Sequence, residues 1–226
     1  MKRDINSLIG FKIAATDGEL GTVKDFYFDD HSWTIRYLIV ETGTWLNSRK
    51  VFVSPQSVQS GFRDPGKFHV NLTMDQLKNS PSIDTDLPVS RQQEEILHMH
   101  HSWQNYWDNN FFGGGTSGDT IPAEEINGEN ETPGKEYNTH LRSAADVSGY
   151  QIHASNGIIG HVNNFLIDDD TWQLLNFVVD TTKWFGGKKV LVDVNYVEAV
   201  QWYNYIVFVN IDMAHVENSP EYHRPQ

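Results

Sequence analysis

Shifted by 139 residues, this sequence overlays itself without a gap. Gly10 falls on Gly149, Ile13 on Ile152, Gly18 and Gly21 on Gly157 and Gly160. Further along, Asp29-Asp30 falls on Asp168-Asp169, Trp33 on Trp172, Trp45 on Trp184, and Lys50-Val51 on Lys189-Val190. The ends agree as well, with Asn79-Ser80-Pro81 on Asn218-Ser219-Pro220. Matched glycines and tryptophans along a whole small domain mean a duplication, so both copies must adopt one fold. Each unit is small enough to be marginal alone, burying only about 60% of its unfolded surface. The two copies are therefore expected to pack on each other or to assemble into oligomers.

Within a copy the pattern is of short strands. Residues 10–15, 20–28, 33–42 and 50–53 are rich in β-branched and aromatic residues and separated by turn residues. Two more strands are predicted near 56–62 and 67–72, and a short helix over 73–79 with Thr73 as N-cap. In the second copy Asp212 takes that capping position. The expected fold class is mainly β: two small β-barrels with short C-terminal helices, joined by a connecting helix. The expected domains are residues 1–81, a linker at 82–138, and residues 139–226.

The residues in order resemble a known family. Gly18-x-x-Gly21, Asp29-Asp30, Ile35-x-Tyr37-Leu38-Ile39-Val40 and Lys50-Val51-Phe52-Val53-x-Pro55 are similar to the PRC-barrel. The second copy repeats this with Gly157-x-x-Gly160, Asp168-Asp169, Leu174 to Val179 and Lys189 to Val192, with Val194 in place of Pro55. That family includes the cytoplasmic domain of the photosynthetic reaction-centre H subunit and the C-terminal domain of a ribosome maturation factor. The resemblance implies protein-binding or assembly roles rather than catalysis, and covers nearly all of both halves. The stretch from Leu87 to Trp107 also resembles the inter-barrel segment of tandem members of the family.

Charge is placed unevenly. The net charge is −13, and residues 82–138 hold eleven acids against Arg91 and Lys135, which puts −9 in the linker. So acidic a chain, with no basic stripe, is not expected to bind nucleic acid. No apolar stretch approaches the roughly 20 residues of a membrane helix. The start, Met1 to Asn6, carries no apolar leader segment, and there is no cysteine. A cytoplasmic location is expected.

The linker divides in two. Ser90 to about Asp108 is predicted as a helix, with Ser90 and Gln93 as a capping box and Ile96, Met99 or His100, Trp103 and Trp107 on one face. The polar, Gly- and Glu-rich remainder to Asn138 is expected not to pack. On the helix Glu94, His98 and His101 align at i, i+4 and i+7, the one place where metal-ligand types gather, but no fourth ligand is visible. They stand as weak metal candidates, the rival being a surface or packing role; no cofactor is expected. Trp103, Tyr106, Trp107, Phe111 and Phe112 form the densest aromatic group, expected to pin the connector within the molecule or an oligomer.

Trp45, Trp184 and Phe185 sit on equivalent loops and are expected to pack on the opposite barrel or a second subunit. The adjacent acids Asp29-Asp30 and Asp168-Asp169-Asp170 read as turn caps rather than a catalytic pair. No catalytic constellation is visible. The expected function is a non-catalytic protein-binding or assembly module, the alternative being a metal-binding protein or small enzyme centred on Glu94, His98 and His101.

Overall fold

The structure, a computed structural model, describes residues 1–43, 49–59, 65–81, 91–107, 141–181 and 187–224. The first half contributes β1 (Lys2–Asp4), α1 (Ile5–Leu8), β2 (Lys12–Ala15), β3 (Gly18–Asp29), β4 (Thr34–Thr42), β5 (Arg49–Val53), β6 (Lys67–His69) and α2 (Met74–Lys78). The linker supplies α3 (Arg91–His101). The second half contributes β7 (Leu141–Ser143), α4 (Ala144–Val147), β8 (Gln151–Ala154), β9 (Gly157–Asp168), β10 (Leu174–Asp180), β11 (Lys189–Asp193), β12 (Val197–Gln201), β13 (Ile206–Val209) and α5 (Met213–Glu217). It is mainly β, in two sheets of one plan.

Each sheet is built on a long antiparallel hairpin, β3–β4 or β9–β10, flanked by β5 or β11 and by a parallel pair, β2–β6 or β8–β13. The shared glycine spacing has a steric cause. A Cβ on Gly21 would lie 2.1 Å from the Glu41 carbonyl oxygen, and one on Gly160 2.0 Å from that of Asp180. Glycine there lets the hairpin strands close tightly beside a bulge. Thr73 and Asp212 cap α2 and α5 as expected, Thr73 in a full capping box. Of the strand expected near 56–62, the start is instead a 3₁₀ turn, Pro55–Ser57, and residues 60–62 lie outside the described residues. Ser54 Oγ accepts from the Gln56 amide, Pro55 fixes the first position, and Val58 makes only an isolated bridge to Val70. The corresponding turn Val194–Tyr196 leads into β12.

The halves exchange their first strands. β1 pairs with β9 of the second sheet, and β7 pairs with β3 of the first. The two pairings are in identical register: Arg3 opposes Ile167 and Arg142 opposes the equivalent Phe28. Each exchanged strand brings an arginine. Arg3 Nε lies 2.6 Å from Asp169, and Arg142 Nε 2.8 Å from Asp30. Asp29 and Asp168 cap their own turns, accepting from the amides of His31 and Ser32, and of Asp170 and Thr171. Those amides hold the Asp168 carboxyl down to about 2. One acid of each pair thus shapes the turn and the next receives the strand from the other half.

Just inside, Ser143 Oγ donates to Asp25 at 2.6 Å, while Asn164 Nδ2 donates to Asp4. The equivalent contact is kept with its carboxylate on the opposite partner. Burial pushes the Asp25 carboxyl up. The C-terminal segment closes the second sheet, with Leu191 N donating to Pro220 O at 2.9 Å and the Tyr222 hydroxyl donating to Asp4.

The hairpin tips also cross. Ile35 N donates to Trp172 O at 2.9 Å and Leu174 N to Trp33 O at 2.7 Å. Both tryptophans adopt left-handed backbone, φ 52° and 60°. Trp33 lies against Phe28 of its own half and Phe177 of the other, and Phe28 meets Phe165 across the junction at 5.6 Å. One buried cluster accordingly runs through both halves.

Because Phe165 is fully buried at this junction, Phe165→Ala is expected to cost about 3–5 kcal/mol. The loss should appear in one cooperative urea transition, with tryptophan fluorescence and far-ultraviolet dichroism coincident. Two separated transitions would show that the halves unfold independently.

Candidate functional site

Chemistry-bearing residues gather at the docked linker, at the acidic turns already assigned to strand exchange, and at a hairpin of the second barrel.

The linker helix α3 lies on the outer face of the first barrel, over Tyr27, Tyr37, Ile39 and Phe52. Its buried face is not the one that apolar periodicity predicts. Ile96 and Met99 are 57% and 81% exposed, and Leu97, Glu94, His98 and His101 are buried instead. The barrel face explains the inversion, because it offers the Tyr37 hydroxyl amid aromatic rings. That hydroxyl lies 3.1 Å from Glu94 Oε2 and 2.8 Å from His98 Nε2. The Tyr106 hydroxyl donates to the same Glu94 oxygen at 2.5 Å. His98 Nδ1 faces the Gln104 carbonyl at 3.1 Å, which can only accept, so that nitrogen carries the hydrogen.

The helix also ends earlier than expected. Ser102 turns left-handed, φ 55°, and Trp103 N donates back to His98 O at 2.9 Å. This reversal takes Trp103, Tyr106 and Trp107 off the helical face and folds them over it. Trp103 Nε1 donates to Ser57 Oγ at 2.7 Å, and its ring stacks on His101 at 4.3 Å. Trp107 packs on His98 at 4.8 Å. Trp103, Tyr106 and Trp107 therefore pin the connector within the molecule.

The structure brings Glu94 and His98 together on Tyr37 but sends His101 elsewhere. His101 Nε2 meets Ser80 Oγ at 3.0 Å, and its Nδ1 is buried without a hydrogen bond. The groups of three acids or histidines whose ligand atoms converge, among the described residues, are Asp29, Asp30, His31 and Asp168, Asp169, Asp170. The predicted loop residues Trp45, Trp184 and Phe185, together with Phe111 and Phe112, lie outside the described residues.

The third place is the connection between β12 and β13. Trp202–Asn204 forms a 3₁₀ turn, and Tyr205 follows in left-handed backbone, φ 56°. Tyr203 and Tyr205 are 79% and 65% exposed. At the position of Tyr205 the first copy has Gly66, φ 80°, and at Trp202 and Tyr203 its sequence has Arg63 and Asp64. Such backbone costs a side-chain-bearing residue roughly 1–2 kcal/mol. Sequence matching passed over this hairpin because it is where the copies disagree.

Tyr37→Phe leaves Glu94 and His98 facing each other without the hydroxyl that joins them. A loss of about 1–3 kcal/mol is expected, with faster amide exchange over 91–101 and unchanged exchange in β8–β13. A second expectation concerns pH. Burial first, then the neighbouring His100 and His98, hold His101 down to about 4, against 6.5 for a free histidine. The unfolded chain therefore takes up a proton that the folded chain refuses. Stability is complete above 6.5 and declines toward pH 4, by at most about 1.4 kcal/mol per pH unit. The urea midpoint should fall across that window in the wild type, and less steeply in His101→Gln.

No curated protein matches this chain. The PRC-barrel domain family matches residues 2–71 and again residues 140–212, two blocks that correspond to the two halves of the sequence and together span more than half of it. The chain belongs to the PRC-barrel family, as a tandem pair.

Proposed function

We propose that this chain is a non-catalytic protein-binding module whose second barrel presents the β12–β13 hairpin to a partner protein. The observation that carries this reading is Tyr205. It is exposed and held in a left-handed conformation that the first copy gives to glycine. A tyrosine in that position sacrifices stability, which supports a use outside the fold.

Around it the outward residues are apolar or aromatic where the first copy is polar. Trp202, Tyr203, Ile206 and Phe208 correspond to Arg63, Asp64, Lys67 and His69. Tyrosine and tryptophan on a rigid hairpin are the residue types that anchor interfaces. The edge strand β12 pairs only with β13 among the described residues. The net charge of −13 disfavours a second copy of this chain and favours a partner with a neutral or basic surface.

A non-catalytic role fits the linker cluster too. Its Glu94, His98 and Tyr37 are buried and joined to one another, and Tyr106 and Gln104 of the same chain also bond to them.

The test uses substitutions that the first barrel already carries. Tyr203→Asp and Tyr205→Gly are made in the full chain, and the partner captured by wild type from native extract is identified and titrated. Binding is expected to weaken at least about tenfold in the double variant. Tyr205→Gly alone is expected to raise stability by up to about 1 kcal/mol. Equal binding by wild type and variants would sink the reading. A destabilised Tyr205→Gly would do so as well, by showing that the residue is kept for its packing on Tyr150.

A further inference from the structure

The copies also diverge in the opposite sense, in a cleft of about 490 Å³ between the first barrel and the Asp169–Trp172 turn of the second half. Its volume lies within the range of small-molecule sites, about 300–1,000 Å³. The apolar wall is the half-buried Trp172, backed by the buried Phe68 ring at 5.8 Å, and Tyr106 of the linker closes one side. Arg36, Lys67 and His69 line the same cleft.

The second barrel has a cleft of about 460 Å³ against the His31–Trp33 turn, lined by Leu175 but by neither Ile206 nor Phe208. At the positions of Arg36, Lys67 and His69 the second copy has Leu175, Ile206 and Phe208. Three apolar positions of one copy are thus two cations and an imidazole in the other, and all three face one cavity. The linker adds Tyr106 on that side. A duplicated barrel that tolerates leucine, isoleucine and phenylalanine at these positions does not need the polar set in order to fold.

Arg36 is held in a fixed pose by its own neighbours. Its guanidinium lies 3.7 Å over the Tyr106 ring, and Nη2 donates to Ser32 Oγ at 2.9 Å and reaches Asp29 at 3.4 Å. Its Nε is buried and makes no hydrogen bond. A guanidinium held flat on an aromatic ring is pre-organised for a planar anion. Lys67 pairs with Glu19, which Lys12 also approaches at 3.1 Å, so one carboxylate there faces two ammonium groups. On the opposite rim Asp169 is held by Arg3 at 2.6 Å, and Asp170 is exposed.

We propose that this cleft binds a small organic anion with a planar body, its carboxylate or phosphate group against Arg36, Lys67 and His69 and its ring along Trp172. The nearby acids keep the local charge close to balanced, so the expected affinity for a simple fragment is about 0.1–1 mM. None of the residues lining the cleft belongs to β12–β13, but the Lys67–Ile206 and His69–Phe208 differences enter both readings, and only Arg36 with Leu175 is particular to this one.

The experiment is calorimetric titration of the full chain with phenyl phosphate, with inorganic phosphate and benzyl alcohol as anion-only and ring-only probes. Saturable one-to-one binding of phenyl phosphate is expected, at least about tenfold tighter than either control. Arg36→Leu, Lys67→Ile and His69→Phe, each the residue of the second barrel, are expected to weaken it about tenfold or more, together or singly. Circular dichroism and the urea midpoint establish that each variant is folded. If the triple variant fails that check, Lys67→Ile alone decides, because its side chain lies at the surface. Absence of saturable heat up to about 5 mM phenyl phosphate would overturn the proposal. So would equal binding by folded variants, or inorganic phosphate binding as tightly as phenyl phosphate.

Discussion

The reciprocal exchange of the first strands is the constraint on which the rest of the molecule depends. A barrel of this size buries too little surface to be secure alone. Here neither sheet is complete without a strand from the other half, and each strand arrives with an arginine that meets the second acid of a turn. These ion pairs are largely buried, so breaking one would leave an uncompensated charge, which disfavours separation of the halves. The crossing of the hairpin tips at Trp33 and Trp172 then carries one hydrophobic cluster through the junction. Two domains in sequence are a single packed unit in space.

The exchange also determines what the linker can do. β7 places Leu141 on the outer face of the first sheet, beside Tyr27, Tyr37, Ile39 and Phe52. This aromatic surface has a hydroxyl at its centre. An ordinary amphipathic helix would bury its aliphatic stripe there and leave the Tyr37 hydroxyl without a partner. Helix α3 does the reverse, laying Glu94 and His98 on that hydroxyl and turning Met99 outward. The polar contacts specify the docking position, and the folded-back Trp103 and Trp107 supply the apolar burial that the helix lacks.

This account explains which parts were legible in advance. The duplication, the turn glycines and the caps at Thr73 and Asp212 are local, and they read correctly from spacing. Gly21 and Gly160 could be seen as turn features, although the carbonyls of Glu41 and Asp180 that exclude a Cβ could not. The inverted face of α3 was hidden because its cause lies in Tyr37, more than fifty residues away. The early end of the helix depends on a left-handed Ser102, a residue with no strong preference for that conformation. Strand exchange was illegible for a deeper reason. When two copies share one sequence pattern, β1 and β7 carry the same pairing signal for either sheet, and only the connecting chain and the mutual packing choose between them.

The functional content lies where the repeat fails. Agreement at a fixed offset reports what both copies need in order to fold: glycines, capping residues, the crossing tryptophans and the buried aliphatics. A position where one copy departs in chemical type, while the other shows that the fold does not require the change, has lost its structural explanation. By that criterion the two proposed sites fall on different copies. The second copy has put exposed aromatics on its β12–β13 hairpin, with a tyrosine in backbone suited to glycine. The first has put Arg36, Lys67 and His69 around one cleft, beside the linker's Tyr106. Strand exchange makes this division possible, because two barrels held in one core can diverge on their outer surfaces while each stabilises the other.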